Sequence, residues 1–315
     1  MTRRTQSGAA IIAALLVVVL AATIAMFLLA QQSQALTRTA RATSRAQLNL
    51  YAPASIDWIR AILRDEQKKS LYVHLSGDWA KSLPPQPLDG ALASGVIRDE
   101  SAKFNLNNLV LDNGTKSAAD VVLFQALLKK LGLNTELANA LVDWIDTDDE
   151  TTYPGGAEST VYFSLPEPYR PANQRLKQVD ELYRVRGFDA DAIRRLSPYV
   201  TALPAHNKIN INTASSDLLA LVFPELSADD ITTLVRNRDN LPFYSIDDIK
   251  NFRFVKLPAG PILQFLDVKS DFFLATLAIT GENAQVRQMA LLRRNSIGAP
   301  GSAAGWPSII WVKDL

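Results

Sequence analysis

The residues of this chain best suited to chemistry are carboxylates, and they are concentrated. Asp143, Asp146, Asp148, Asp149, Glu150, Glu158 and Glu167 fall in one stretch. It also holds Pro154, Gly155, Gly156, Pro166 and Pro168, with Tyr153, Tyr162 and Tyr169 interleaved. Drawn into a small volume, so many like charges repel unless a cation joins them. Hard oxygen ligands without His or Cys favour calcium over a transition metal. The twelve-residue spacing of an EF-hand is absent, so a site here has an irregular loop geometry. The other reading is a solvated acidic loop.

Other chemistries have less support. The chain has no cysteine, which excludes thiolate-bound zinc and iron–sulfur clusters. His74 and His206 lie far apart and belong to no motif. There is no Gly-x-Ser-x-Gly elbow, no His-Glu-x-x-His helix and no P-loop. Paired carboxylates can hydrolyse a glycoside, but these sit in one loop instead of facing each other across a cleft. An enzyme is therefore not expected. The formal net charge is +1, so no broad electrostatic footprint for nucleic acid is present.

The acidic stretch must be held by something, and the 315 residues suffice for two domains beyond an anchor. No charged residue lies between Arg4 and Arg38. Residues 9–30 are apolar except for Thr23, long enough to cross a bilayer as one helix. Arg3 and Arg4 before them hold the N-terminus on the cytoplasmic side. No secretory cleavage site follows the run, so the apolar segment is expected to be retained. The helix continues outward. Leu48, Tyr51, Ala52, Ile56, Ile59 and Leu63 recur at helical spacing, while Arg38, Arg41, Arg45, Arg60 and Arg64 mark a wet side. Leu48, Tyr51, Ile56, Ile59 and Leu63 are candidates to meet both the chain's own sheet and neighbouring helices. Pro53 should kink or restart the helix.

Beyond the spine, residues 71–75 read as a short strand and 82–88 as a breaker-rich loop. Strand character returns near Val96 and Ile97 and near Phe104. Residues 116–265 are largely helical, with helix-period segments at 118–131, 135–145, 189–196, 215–222 and 228–236. The last fifty residues switch to period two: a strand at 272–280, a turn at Gly281, a second strand, a loop at 296–307 and a final strand from Ser308. Helix, strands, helical block and strands again predict an α+β fold. A long N-terminal helix packs on an antiparallel sheet, and a large all-α domain is inserted into it.

The N-terminus resembles the type IV pilins and pseudopilins, in which a prepilin peptidase cuts after a glycine preceding the apolar helix. Here the matching residues are Gly8 and Ala9, so 1–8 would be the leader and Ala9 the methylated new N-terminus. Most such proteins carry glutamate five residues into the mature chain, and Ala13 stands there instead. That departure, the acidic loop and the helical block together resemble the minor pseudopilin K family of type II secretion. The resemblance implies a transmembrane segment at 9–30 and a pilin-like helix with first strands at 31–104. It further implies an inserted helical domain of two small bundles at 105–265 and completing strands at 266–315. It implies calcium as cofactor, held by Asp146, Asp148, Glu158 and Asn173, with Asp143 from the preceding helix. It also implies minor pseudopilins I and J as partners at a pseudopilus tip, with the body in the periplasm and the helix in the inner membrane. An uncleaved signal anchor is the plain alternative.

Ile209, Asn210, Ile211, Asn212, Thr213 and Ala214, followed by a helical run, resemble the helix-hairpin-helix modules of DNA-uptake proteins. Thr213 is expected to cap the following helix and Ser245 a later one. The hairpin at 223–227 lacks the glycine of those modules. It contains Pro224, which has no N–H, and Glu225, which repels phosphate. A scaffold for contact is therefore expected, and a membrane-anchored DNA-binding protein is the second reading.

Overall fold

In the computed structural model, residues 7–252, 261–294 and 305–315 are described. Arg3, Arg4 and most of the loop at 296–307 lie outside them.

One helix, α1 (Ser7–Lys69), forms the spine. Its 63 residues extend about 95 Å. The apolar half is bare: Ile11, Leu16, Leu20 and Phe27 are all more than half exposed. It is the one helix among the described residues long and apolar enough to cross a membrane. Gly8 and Ala9 lie in its first turns. Of the two outcomes expected at Pro53, the helix shows no restart and runs on through it. It sits on the exposed face, where solvent can take up the carbonyl that loses its partner.

Further along, α1 buries Leu48, Ala52, Ile56, Ile59 and Leu63. Tyr51 is half-buried, and its hydroxyl donates to the Asp89 carbonyl at 3.0 Å. The face expected to serve the sheet and neighbouring helices alike is thus occupied by the chain's own sheet.

That sheet contains β1 (Leu83–Leu88) and β2 (Ala91–Asp99) before the helical block. The block comprises β3 (Phe104–Asn105), α2 (Ala118–Lys130), α3 (Leu137–Ile145), α4 (Ser159–Phe163), α5 (Ala190–Leu196) and β4 (Val200–Thr201). It continues with β5 (Ile209–Asn210), α6 (Ser216–Val222), α7 (Ala228–Asn240), α8 (Ile246–Lys250) and β6 (Leu266–Asp267). The sheet resumes with β7 (Phe272–Gly281), β8 (Gln285–Arg293) and β9 (Ser308–Asp314). Its order is β1-β2-β7-β8-β9, antiparallel throughout. Because β2 and β7 are neighbours, everything between them is looped out of one sheet. The expected insertion is therefore present.

Two sequence expectations fail nearby. Within the expected loop at 82–88, residues 83–88 form a strand, because β1 is an edge, where Pro84, Pro85 and Pro87 forfeit few ladder bonds. Residues 71–75 form no strand; the Val73 N–H instead donates to the Val268 carbonyl at 2.8 Å, joining spine to insertion.

The insertion contains one local device twice. Phe104-Asn105-Leu106-Asn107 and Ile209-Asn210-Ile211-Asn212 each begin as a two-residue strand pairing in parallel, with β4 and β6 respectively. In each, the first asparagine accepts the N–H two residues on. The second asparagine grips a distant backbone with both ends of its amide. Asn107 exchanges bonds with Leu176, both at 2.8 Å, and Asn212 with Phe243, both at 2.9 Å. Buried amides are costly unless paired, and these pairings fix each small bundle. Thr213 is not the cap of α6. Ser215 is, accepting the Leu218 N–H, because the Thr213 hydroxyl donates to the buried Asp99 carboxylate. Ser245 caps α8 as expected, within a capping box.

Candidate metal centre

Helix α3 is buried on every face and delivers Asp143 on its last turn, with Asp146 as its C-cap. Glu158 precedes α4. The chain turns between them so that one carboxylate oxygen from each of Asp143, Asp146 and Glu158 lies within 4.8 Å of the others. All three are buried, at 0%, 6% and 1% exposure. Packing them here is unfavourable unless something compensates.

Protein donors do not compensate. Asp143 accepts the Thr152 N–H, at 3.1 Å to each oxygen. Asp146 Oδ1 and both oxygens of Glu158 have no hydrogen-bond partner among the described residues. Burial, then the charges of Asp148 and Asp143, push the Asp146 carboxyl up to about 7. Burial, then Asp143 and Asp146, push Glu158 up to about 8. Burial also raises Asp143. Three carboxylates that repel in a dry pocket, with orphaned acceptors, fit a hard divalent cation.

The other two expected ligands stand differently. Asn173 occupies a left-handed conformation, φ 44°. Its amide donates to the Asp148 carbonyl at 3.0 Å, and its Oδ1 is buried without a partner. A free buried carbonyl oxygen is a ligand of the right chemistry. Asp148 is exposed, and its carboxylate accepts the Glu150 N–H at 2.9 Å. It lies outside the group of mutually close oxygens, although its charge acts on Asp146 and Glu158.

Sequence reading missed Gly156. A Cβ there would lie 2.2 Å from Asp143 Oδ2 and 2.3 Å from the Thr152 carbonyl. Only glycine lets the loop close over Asp143. The paired glycines Gly155 and Gly156 in an acidic loop are the signal available for it. Around the pocket, Trp144, Tyr162 and Tyr169 pack on one another, with ring centroids 5.2 to 6.3 Å apart.

Models of the family described as "Type II secretion system (T2SS), protein K" match residues 102–205 and 209–263. The break falls between the two bundles, just before Ile209. Type II secretion system protein K of Pectobacterium carotovorum subsp. carotovorum is 34% identical over 308 residues, covering 92% of this chain and 93% of that protein. The chain belongs to the type II secretion system protein K family. The protein K of Pseudomonas aeruginosa is 35% identical over 257 residues, 78% of this chain and 76% of that protein. Among solved structures, a chain of the GspK-GspI-GspJ complex from the enterotoxigenic Escherichia coli type 2 secretion system matches with a TM-score of 0.76. It is 24% identical and covers 88% of this chain and 99% of that chain. The likeness shows a shared fold: a pilin-like helix on an antiparallel sheet, with additional helices. Membership makes the chain a minor pseudopilin of type II secretion.

Proposed function

We propose that this pseudopilin assembles with the minor pseudopilins I and J at the tip of the pseudopilus. There it would initiate or cap the filament and support export of folded proteins across the outer membrane. The observation that carries this reading is the place of the insertion. It emerges between β2 and β7 and meets the far end of α1 through Val73 and Val268, away from the apolar half. A bulky body at that end obstructs a further subunit above it. The apolar half supplies no carboxylate for a neighbouring N-terminal ammonium, Ala13 included. Such a chain fits at an end of a filament better than within it. The solved complex from enterotoxigenic Escherichia coli joins GspK to GspI and GspJ, the same two partners.

The same reading includes cutting after Gly8 by prepilin peptidase, methylation of Ala9, and residence of α1 in the inner membrane with the body in the periplasm. Calcium is the cofactor, held by Asp143, Asp146, Glu158 and the Asn173 carbonyl. Its role is structural: it offsets the buried charge and ties the loop after α3 to α4. No substrate is turned over.

A DNA-binding role is disfavoured by where the hairpin's donors go. The Leu226 N–H donates to the Phe223 carbonyl, and the Ser227 N–H to the Asp230 carboxylate. Neither remains for a phosphate. Co-expression of the full chain with tagged I and J tests the assembly reading. Recovery of all three together is expected. Recovery of I and J without this chain would contradict it.

A further inference from the structure

The Asn210–Thr213 motif looks outward-acting by sequence, yet its polar groups are spent inside the molecule. Asp99 ends β2, where the chain leaves the sheet for the insertion. Ser270 lies just before β7, where the chain returns. Asn210 and Thr213 belong to the second bundle. All meet at the Asp99 carboxylate. Ser101 N–H donates to Oδ1 at 2.8 Å, and Oδ2 receives Thr213 Oγ1 at 2.6 Å, Ser270 Oγ at 2.6 Å and Asn210 Nδ2 at 3.2 Å. Asn210 Nδ2 also reaches the Val73 carbonyl after α1, at 3.1 Å. Asp99 is 5% exposed, Asn210 0% and Ser270 2%.

A carboxylate with four donors is satisfied only as an anion. Adding a proton places a fifth hydrogen among acceptors already used, so at least one donor must turn away. The Thr213 hydroxyl has somewhere to go, since the Asn210 carbonyl lies 3.4 Å from it.

We propose that Asp99 is the positioning residue that locks the helical insertion onto the sheet, and that protonating its carboxylate loosens this joint. Sheet exit, sheet return and second bundle are joined at one ionisable group, and Asn210 ties in the segment that follows the spine. Burial, the largest influence, outweighs the four donors and pushes this carboxyl up to about 6. The joint therefore responds to mild acid. Among charged neighbours, the Arg294 guanidinium is 4% exposed and donates to the Ser270 carbonyl at 3.0 Å. It feels Asp271, Asp99 and Glu66, so it favours the Asp99 anion without pairing to it directly. Glu100, next in sequence, is bound by Lys103. The His74 ring meets Ser76 instead of Asp99. The proposal concerns the chain alone and stands or falls independently of pseudopilus assembly.

The absence of native cysteine makes the test direct. Spin labels on Glu282→Cys, in the β7–β8 turn, and Arg236→Cys, on α7, report the distance between sheet and second bundle in the full chain. Measurements are made with calcium at about pH 7.5 and about pH 5, which shifts the carboxyl's charge ratio by more than tenfold. Wild type should give one narrow distance at the higher pH and a broader distribution at the lower. Asp99→Asn should be broad at both, with no pH response. Thr213→Val, which keeps the carboxylate but removes one donor, should broaden at the higher pH and still respond to acid. An unchanged wild-type distribution between the two pH values would overturn the proposal even if Asp99→Asn failed to fold. So would an Asp99→Asn chain that stays narrow or keeps the pH response.

Discussion

A carboxylate oxygen of Glu158 lies within 4.8 Å of one from Asp146, both residues are buried, and neither Glu158 oxygen accepts a hydrogen bond among the described residues. On the proposed function, a cation bound to the folded state would offset this arrangement. At a free calcium concentration about a hundred times Kd, the gain is about 2.7 kcal/mol. Calcium should raise the melting temperature, and a chelator should increase protease cleavage within residues 146–175. Glu158→Gln should abolish the difference. Equal protease sensitivity with and without chelator would count against the site.

Gly156→Ala tests the cradle without replacing any of the proposed ligands. Its methyl group would fall 2.2 Å from Asp143 Oδ2, too close to be accommodated without moving the loop. Calcium affinity by titration calorimetry should fall at least tenfold, while the chelated protein melts within a few degrees of wild type.

The pH dependence of the chelated protein follows from the raised carboxyls. Asp146 at about 7 and Glu158 at about 8 lie above the ordinary carboxylate range. The folded state therefore binds more protons than the unfolded one, and this contribution to stability is full in acid and lost as pH rises from about 4 through about 8. Calcium competes with those protons, so its affinity rises over the same range. Melting of wild type and Glu158→Gln, with chelator at pH 5 and pH 8, checks the sign. Wild type should lose more stability on going to pH 8 than the variant does.

Leu63 is fully buried between spine and sheet, whereas Leu20 is 56% exposed on the apolar half. Leu63→Ala should destabilise the detergent-solubilised body by about 2–5 kcal/mol. Leu20→Ala should leave its denaturant midpoint unchanged. Comparable losses for the two would mean that the face from Leu48 to Leu63 is not what binds the sheet.

Much of this was legible from residue order alone. The uncharged run after Arg4, the heptad-like recurrence of Leu48, Ile56, Ile59 and Leu63, and the switch to period two after Phe272 each reflect one dominant burial pattern. Such patterns survive without tertiary context. The misreadings have the opposite character. Pro84, Pro85 and Pro87 look like a loop until the strand is known to be an edge. Thr213 looks like a cap until a buried carboxylate more than a hundred residues away claims its hydroxyl. Pro53 breaks nothing because its face is wet. At the candidate metal centre, the sequence distinguished an acidic loop but not which acids are buried together. Asp148 and Asp146 are two residues apart, and only the fold separates the exposed one from the buried one. Gly156 matters through a clash that exists only once the loop has closed.

The most direct test of the assignment is the intact mass and N-terminal sequence of the protein taken from its native envelope. A mature chain beginning at methylated Ala9 is the predicted result, since it requires prepilin-peptidase processing after Gly8. A chain that still begins at Met1, or one cut after the apolar segment near Ala30, would contradict it.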